Sequence, residues 1–240
     1  MNASGFKTPQ GYPPARWHYP AVAQAEERQH RGRYDRIRVV GRTLNSTVAR
    51  APWLWPVLKY PMRRYFDQLA LGWDQRTGAG STEHLTSLAT ALLHVTPKPE
   101  RVLDLGTGTG EAALLAAREF PRASVRGIDV SEEMIALAKK KVGLDPDGRI
   151  AFKVADAARV PWPDDSFDLV MQMNVPPFFA EIGRVLRPGG SVVVAASWGV
   201  ETPFYTPESV LRRGFAKHGV DEHVLGEAGH GTYWVGRARE

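Results

Sequence analysis

Three glycines at alternate positions, Gly106, Gly108 and Gly110, follow the apolar run Val102-Leu103-Asp104-Leu105, which carries one acid. Glycine lacks a Cβ, so such a loop can turn sharply and bring the backbone close to a ligand. The next apolar run, Ser124 to Asp129, ends on a second carboxylate, and a third run, Ile150 to Ala155, is followed by Asp156. A carboxylate ending the second strand of such a unit is placed to accept hydrogen bonds from ribose hydroxyls. The residue types point to nucleoside binding. They do not build a phosphate cradle, because the loop holds no lysine and its spacing is G-x-G-x-G, not the G-x-G-x-x-G of a dinucleotide site. Asp104 suits a cationic ligand better than a pyrophosphate.

The elements that position these residues alternate. Strands are expected at Arg101–Leu105, Ser124–Asp129, Ile150–Ala155, Phe167–Met173 and Ser191–Ser197. Helices are expected at Glu111–Glu119, after Ser131, at Phe178–Leu186 and from Thr206-Pro207 to about His218. Ser131 is a cap, Glu132 and Glu133 follow it in the first turn, and Lys139, Lys140 and Lys141 close the helix, all in the sense the helix dipole favours. Two last runs, Glu222–Glu227 and Gly231–Ala238, read as a hairpin. Upstream, Ser81 caps a helix with Leu85, Leu88, Ala89 and Leu92 on one face. Met62–Leu71 is helical, ending near Gly72. Pro52, Pro56 and Pro61 predict short apolar turns over 51–61. Residues 21–50 are helix-compatible, with interruptions expected near Gly32 and Gly41, and residues 1–20 read as a tail rich in proline and aromatics.

The motifs Asp104-Leu105-Gly106-x-Gly108-x-Gly110, Asp129, Asp156, Pro161-Trp162-Pro163-Asp164-Asp165-Ser166-Phe167-Asp168 and Arg184-Val185-Leu186-Arg187-Pro188-Gly189-Gly190 resemble, in order and spacing, the class I S-adenosylmethionine-dependent methyltransferases, methyltransferase type 11 branch. The resemblance runs from about Tyr65 to Arg239. It implies an α/β fold with a Rossmann-like, doubly wound seven-stranded sheet, a C-terminal β-hairpin and a helical N-terminal cap. The implied division is a tail at 1–20, a cap and substrate segment at 21–95, and the S-adenosylmethionine-binding domain at 96–240. A nicotinamide Rossmann domain is the competing fold, and it does not usually end in a hairpin. The implied cofactor contacts are Gly106, Thr107, Gly108 and Gly110 around the amino-acid end, Asp104 near the methionine ammonium, Asp129 on the ribose hydroxyls and Val130 and Met134 beside the adenine. Asp156 and Ala157 fall at the adenine amino group, and Gln172, with Met171 and Met173, at the floor of the transfer site. Asn174-Val175-Pro176-Pro177-Phe178 superficially resembles the N-P-P-[FY] motif of amino-group methyltransferases, but the inserted Val175 argues against it.

The remaining expectations concern the acceptor and its surroundings. The short segments after the fourth and fifth strands leave the acceptor pocket to the first 90 residues, whose aromatics (Trp17, Tyr19, Trp53, Trp55, Tyr60, Tyr65, Phe66, Trp73) suit a flat apolar small molecule, quinone-like or a specialised metabolite. No general base has an assignable position; His18, His30, His84 and Tyr205 are candidates by location only. Ten basic residues and one acid lie between Arg28 and Arg64, whereas the rest of the chain has 21 basic and 25 acidic residues. That segment either pairs with the acidic domain or attracts nucleic acid, which is the second functional reading. A non-enzymatic S-adenosylmethionine-binding regulator is the third. The absence of cysteine excludes a disulfide scaffold, a thiolate metal site and cysteine nucleophile chemistry, and no metal ligands are expected. No apolar run approaches the roughly 20 residues of a membrane span, and residues 1–10 lack a signal-peptide pattern, so a cytoplasmic enzyme is expected.

Overall fold

Seven strands form a sheet in the order β3-β2-β1-β4-β5-β7-β6 in the computed structural model, which describes residues 38–145 and 147–240. They are β1 (Arg101–Leu105), β2 (Ser124–Asp129), β3 (Ile150–Val154), β4 (Phe167–Met173), β5 (Leu186–Ala196), β6 (Val220–Ala228) and β7 (Gly231–Ala238). The first five are parallel, and β7 runs antiparallel to both β5 and β6. The expected seven-stranded sheet with its C-terminal hairpin is therefore present. The helices are α1 (38–50), α2 (Trp55–Ala70), α3 (Trp73–Thr77), α4 (Thr82–Leu92), α5 (Glu111–Glu119), α6 (Glu132–Lys141), α7 (Phe179–Val185) and α8 (Glu208–Ala216).

Strand alternation divides the core into two layers. Val102, Leu169, Met171, Val193 and Val235 face α4, α5 and α6, whereas Leu103, Val170, Val192, Val194 and Trp234 face α7, α8 and Trp55 of α2. This is the period-two pattern of strands covered on both faces. Chain order reverses between β1 and β4, which opens a crevice at the carboxyl ends of these strands, where open α/β sheets bind ligands.

Three elements depart from the sequence expectation. Residues 51–61 are not a series of turns. Beyond a short 3-10 turn at Pro52–Leu54, one 16-residue helix runs from Trp55 to Ala70 with Pro61 inside it. Pro56 sits in the first turn, where its missing N–H costs nothing, and burial of Trp55 with partial burial of Leu58 and Met62 outweighs the hydrogen bond lost at Pro61. Gly41 does not interrupt α1. A Cβ there would lie 2.8 Å from Pro203, so the glycine admits a close contact. Finally, β5 begins at Leu186, with Arg187-Pro188-Gly189-Gly190 absorbed as an irregularity opposite β4. The expected caps are in place: Ser81 Oγ accepts from His84 N and Ser131 Oγ from Met134 N. The readings for residues 1–37, including Trp17, His18, Tyr19 and His30, fall outside the described residues.

Candidate functional site

The three loop glycines all take positive φ, +66° at Gly106, +53° at Gly108 and +89° at Gly110, but they face different surroundings. A Cβ on Gly106 would meet Val175 Cγ2 at 2.4 Å, and one on Gly110 would meet Phe152 Cζ at 2.8 Å. A Cβ on Gly108 would meet nothing within 4 Å. Gly106 and Gly110 thus pack the loop down, and Gly108 presents bare backbone to open space.

The acids surround this opening. Asp129 holds the loop: its Oδ2 accepts from Gly108 N at 3.0 Å and its Oδ1 from Ser131 N at 2.9 Å. Burial pushes its pKa up, against these backbone hydrogen bonds. A third backbone donor is Val130 N, which leaves the carboxylate about one free acceptor site. Asp104, 1% exposed, accepts from Thr107 Oγ1 at 2.6 Å. Burial raises its pKa to about 7, with the Asp129 carboxylate adding to the rise and the Thr107 hydroxyl and the Ala113 backbone opposing it. Gln172, also 1% exposed, ends β4 beside them. Its Nε2 donates to Val175 O at 3.2 Å, and its buried Oε1 has no partner. An orphaned buried carbonyl oxygen costs stability unless a donor reaches it.

Further along the sheet edge, Asp156 Oδ1 accepts from Trp55 Nε1 at 2.6 Å and from Ala158 N at 2.9 Å, while Oδ2 lies 3.1 Å from Lys59 Nζ. Ala157 and Met134 are buried and Val130 is half-buried. All of the expected site residues accordingly lie at the carboxyl ends of β1, β2, β3 and β4, or in the turn and helix start that follow.

The participants missing from the sequence reading come from α2 and α3. Trp55, Lys59, Arg63 and Asp67 recur every four residues, so they share one helix face. Besides the contacts with Asp156, Arg63 pairs with Glu132 at 2.8 Å, and Ser131 Oγ donates to Asp67 Oδ1 at 2.6 Å. Asp74 of α3 accepts from Thr109 Oγ1 at 2.6 Å and pairs with Lys141 at 2.5 Å. The four-residue spacing was the available signal, hidden by the prolines that argued against a helix. The same contacts engage the basic segment with the acidic domain: Arg38 with Glu201, Lys59 with Asp156 and Arg63 with Glu132. His84, a base candidate by location, is buried with Nδ1 unpartnered, and burial lowers its pKa, partly opposed by Glu111.

A cavity of about 240 Å³ lies on the α8 side of β5, β7 and β6. Its walls come from residues between Val175 and Trp234. The cap reaches it indirectly: the Phe204 ring sits 6.2 Å from that of Phe66, and Asn45 Nδ2 donates to Tyr205 O at 3.0 Å. Among the described residues, no helix is long and apolar enough to cross a membrane.

Comparison with known proteins agrees with this geometry. Residues 102–190 match the family described as "Methyltransferase domain". The chain is 39% identical over 120 residues to the ubiquinone/menaquinone biosynthesis C-methyltransferase UbiE of Geobacter sulfurreducens, covering 46% of this chain and 44% of that one. It is 33% identical over 144 residues to the demethylmenaquinone methyltransferase of Symbiobacterium thermophilum, covering 55% and 57%. The chain thus spans about half the length of the curated relatives it matches. The structure of a SAM-dependent methyltransferase from Aquifex aeolicus superposes with a TM-score of 0.56 at 21% identity, over 65% of this chain and 92% of the other, a likeness of fold. With the glycine loop, the strand-end acids and the β3-β2-β1-β4-β5-β7-β6 sheet, the chain has the fold of the class I S-adenosylmethionine-dependent methyltransferases and, over residues 102–190, is similar to them in sequence.

Proposed function

We propose that the protein transfers the methyl group of S-adenosylmethionine to a small, apolar or aromatic acceptor. The observation that carries this reading is the opening over Gly108, flanked by Asp104 and the orphaned Gln172 Oε1 on one side and Asp129 on the other. Those groups fit the cofactor's polar ends. An ammonium would find Asp104 and Gln172 Oε1, and a ribose hydroxyl would find the remaining acceptor site of Asp129. Asp156 and Ala157 then fall to the adenine, with Val130 and Met134 as apolar neighbours. In this proposal residues 96–240 form the cofactor domain and 21–95 the cap.

The cofactor supplies a methyl group already activated on a sulfonium. The chain's own task is to bind, to align the acceptor and to keep water out. The α2 face carrying Trp55, Lys59, Arg63 and Asp67 closes the adenine side through Asp156, Glu132 and Ser131. The relatives named for menaquinone and ubiquinone synthesis support a flat, ring-bearing acceptor. Titration calorimetry with S-adenosylhomocysteine and with NAD tests the cofactor, and isotopically labelled methyl transfer into a panel of phenols and quinols tests the acceptor. The expected result is micromolar S-adenosylhomocysteine binding, none for NAD, and label in a ring-bearing product. NAD binding without an S-adenosylhomocysteine signal would overturn the proposal.

A further inference from the structure

The cavity beside β5 shares one wall residue with the glycine loop. Val175 lines the cavity, and its Cγ2 is the atom that a Cβ on Gly106 would strike. Phe204, Leu211 and the half-exposed Leu225 also line the cavity. Its volume, about 240 Å³, lies just below the roughly 300–1,000 Å³ usual for ligand sites, the scale of a one- or two-ring molecule.

Charge at this cavity has one sign. Of its fifteen lining residues, two are carboxylates, Glu208 and Glu227, and none is Lys, Arg or His. The nearby Arg212 guanidinium does not cancel them, because it is shared between Glu208 and Glu222. Glu222 also accepts from Trp234 Nε1 at 2.8 Å, behind the cavity wall. Two carboxylates therefore share one guanidinium, and the lining residue Glu227, which is exposed, makes no ion pair with it. A phosphate ester or carboxylate entering here finds no cationic side chain in the lining and meets two like charges. An ammonium or an uncharged ring does not.

Resting on the methyl-transfer reading, we propose that this cavity receives the acceptor and that Glu227 and Glu208 make it selective for a flat apolar molecule that bears an amine or no charge, against acidic molecules of the same size. The probes are three isosteric naphthalenes, 1-naphthylmethylamine, 1-naphthylmethanol and 1-naphthoate, titrated into the full-length protein with and without S-adenosylhomocysteine. The ammonium is expected to bind tightest and the carboxylate weakest, about tenfold apart, the scale of a close charge pair at a partly solvated rim. Glu227→Gln should narrow the gap about threefold, and Glu227→Lys should bring the carboxylate level with or ahead of the ammonium. Glu227 is exposed, so both variants should keep the fold. A carboxylate that binds the unmodified protein as tightly as the ammonium overturns the proposal. So does an order unmoved by Glu227→Lys, or the failure of all three probes to bind at millimolar concentration. Absence of S-adenosylhomocysteine binding refutes the methyl-transfer reading alone, because the probe order in unliganded protein still reports the cavity's charge.

Discussion

Lowering the pH should weaken cofactor binding through Asp104 before anything else in the site changes. Burial raises this carboxyl to about pKa 7, so near neutrality half of the molecules carry it protonated. A cationic ammonium beside it requires the carboxylate, and binding must then expel the proton. If the complex holds Asp104 ionised, affinity falls by the factor 1 + 10^(7−pH), about twofold at pH 7 and tenfold at pH 6, each unit being about 1.4 kcal/mol. The assay is calorimetry with S-adenosylhomocysteine from pH 5.5 to 7.5 in two buffers of different ionisation enthalpy, which counts protons released: about half at pH 7 and nine-tenths at pH 6. Thr107→Val removes a hydrogen bond that stabilises the ionised form, so its profile should move to higher pH. Asp104→Asn should bind weakly with a flat profile. Affinity independent of pH, or the same proton release in Asp104→Asn, would refute the argument. Stability has its own sign. The folded pKa lies above the unfolded value of about 3.9, so the native state holds this proton more tightly than the unfolded chain. The group's contribution is complete below pH 4 and is lost as pH rises towards 7.

Other changes separate ligand contacts from packing. Asp129→Ala should lower S-adenosylhomocysteine affinity by about 1–3 kcal/mol and also loosen the loop that it holds at Gly108 N, an effect readable as faster amide exchange there; unchanged affinity in a folded variant would place the ribose elsewhere. Gly108→Ala meets no neighbour and costs folding only the strain of its left-handed backbone, about 1–2 kcal/mol, whereas Gly110→Ala carries the same strain and also pushes into Phe152 and Ala138, so it should lower the melting temperature more. Trp55→Phe keeps a ring beside Phe178, 5.0 Å away, but loses the hydrogen bond to Asp156; a cost of about 1–2 kcal/mol by denaturation, absent in an Asp156→Ala background, is expected. Removal of residues 1–60 should impair S-adenosylhomocysteine binding as well as methyl transfer, since it takes Trp55 and Lys59 from Asp156; undiminished binding and turnover would remove the cap from the site.

What was legible in the sequence follows from how local each signal is. The glycine loop, the strand-end acids and the serine caps are set by backbone conformation within a few residues, and the chain states them directly. Ser131 shows it, since both its cap and the acids after it stand where the pattern put them. Helix α2 shows the limit. Its prolines carry a local message, and the tertiary contacts of Trp55, half a chain away from Asp156 and Phe178, override it. Gly41 reverses in the same way, since its neighbour is Pro203 and not its own helix.

The cap and the cavity show why long-range pairing carries the functional detail. The excess of basic residues in 28–64 was visible as composition, but composition does not distinguish a surface waiting for a polyanion from one already neutralised. Arg38, Lys59 and Arg63 meet Glu201, Asp156 and Glu132, acids 69 to 163 residues away in sequence. These three of the ten basic residues thus spend charge on the chain's own acids. The acids left over lie elsewhere. Glu208 and Glu227 come from α8 and β6, and only the antiparallel return of β7 between β5 and β6 brings them around one cavity. The glycine loop and the strand-end acids are written in contiguous motifs because each is set by backbone conformation within a few residues. The cavity is assembled from the loop after β4, the turn before α8 and the hairpin, so its chemistry becomes readable only when the sheet is closed.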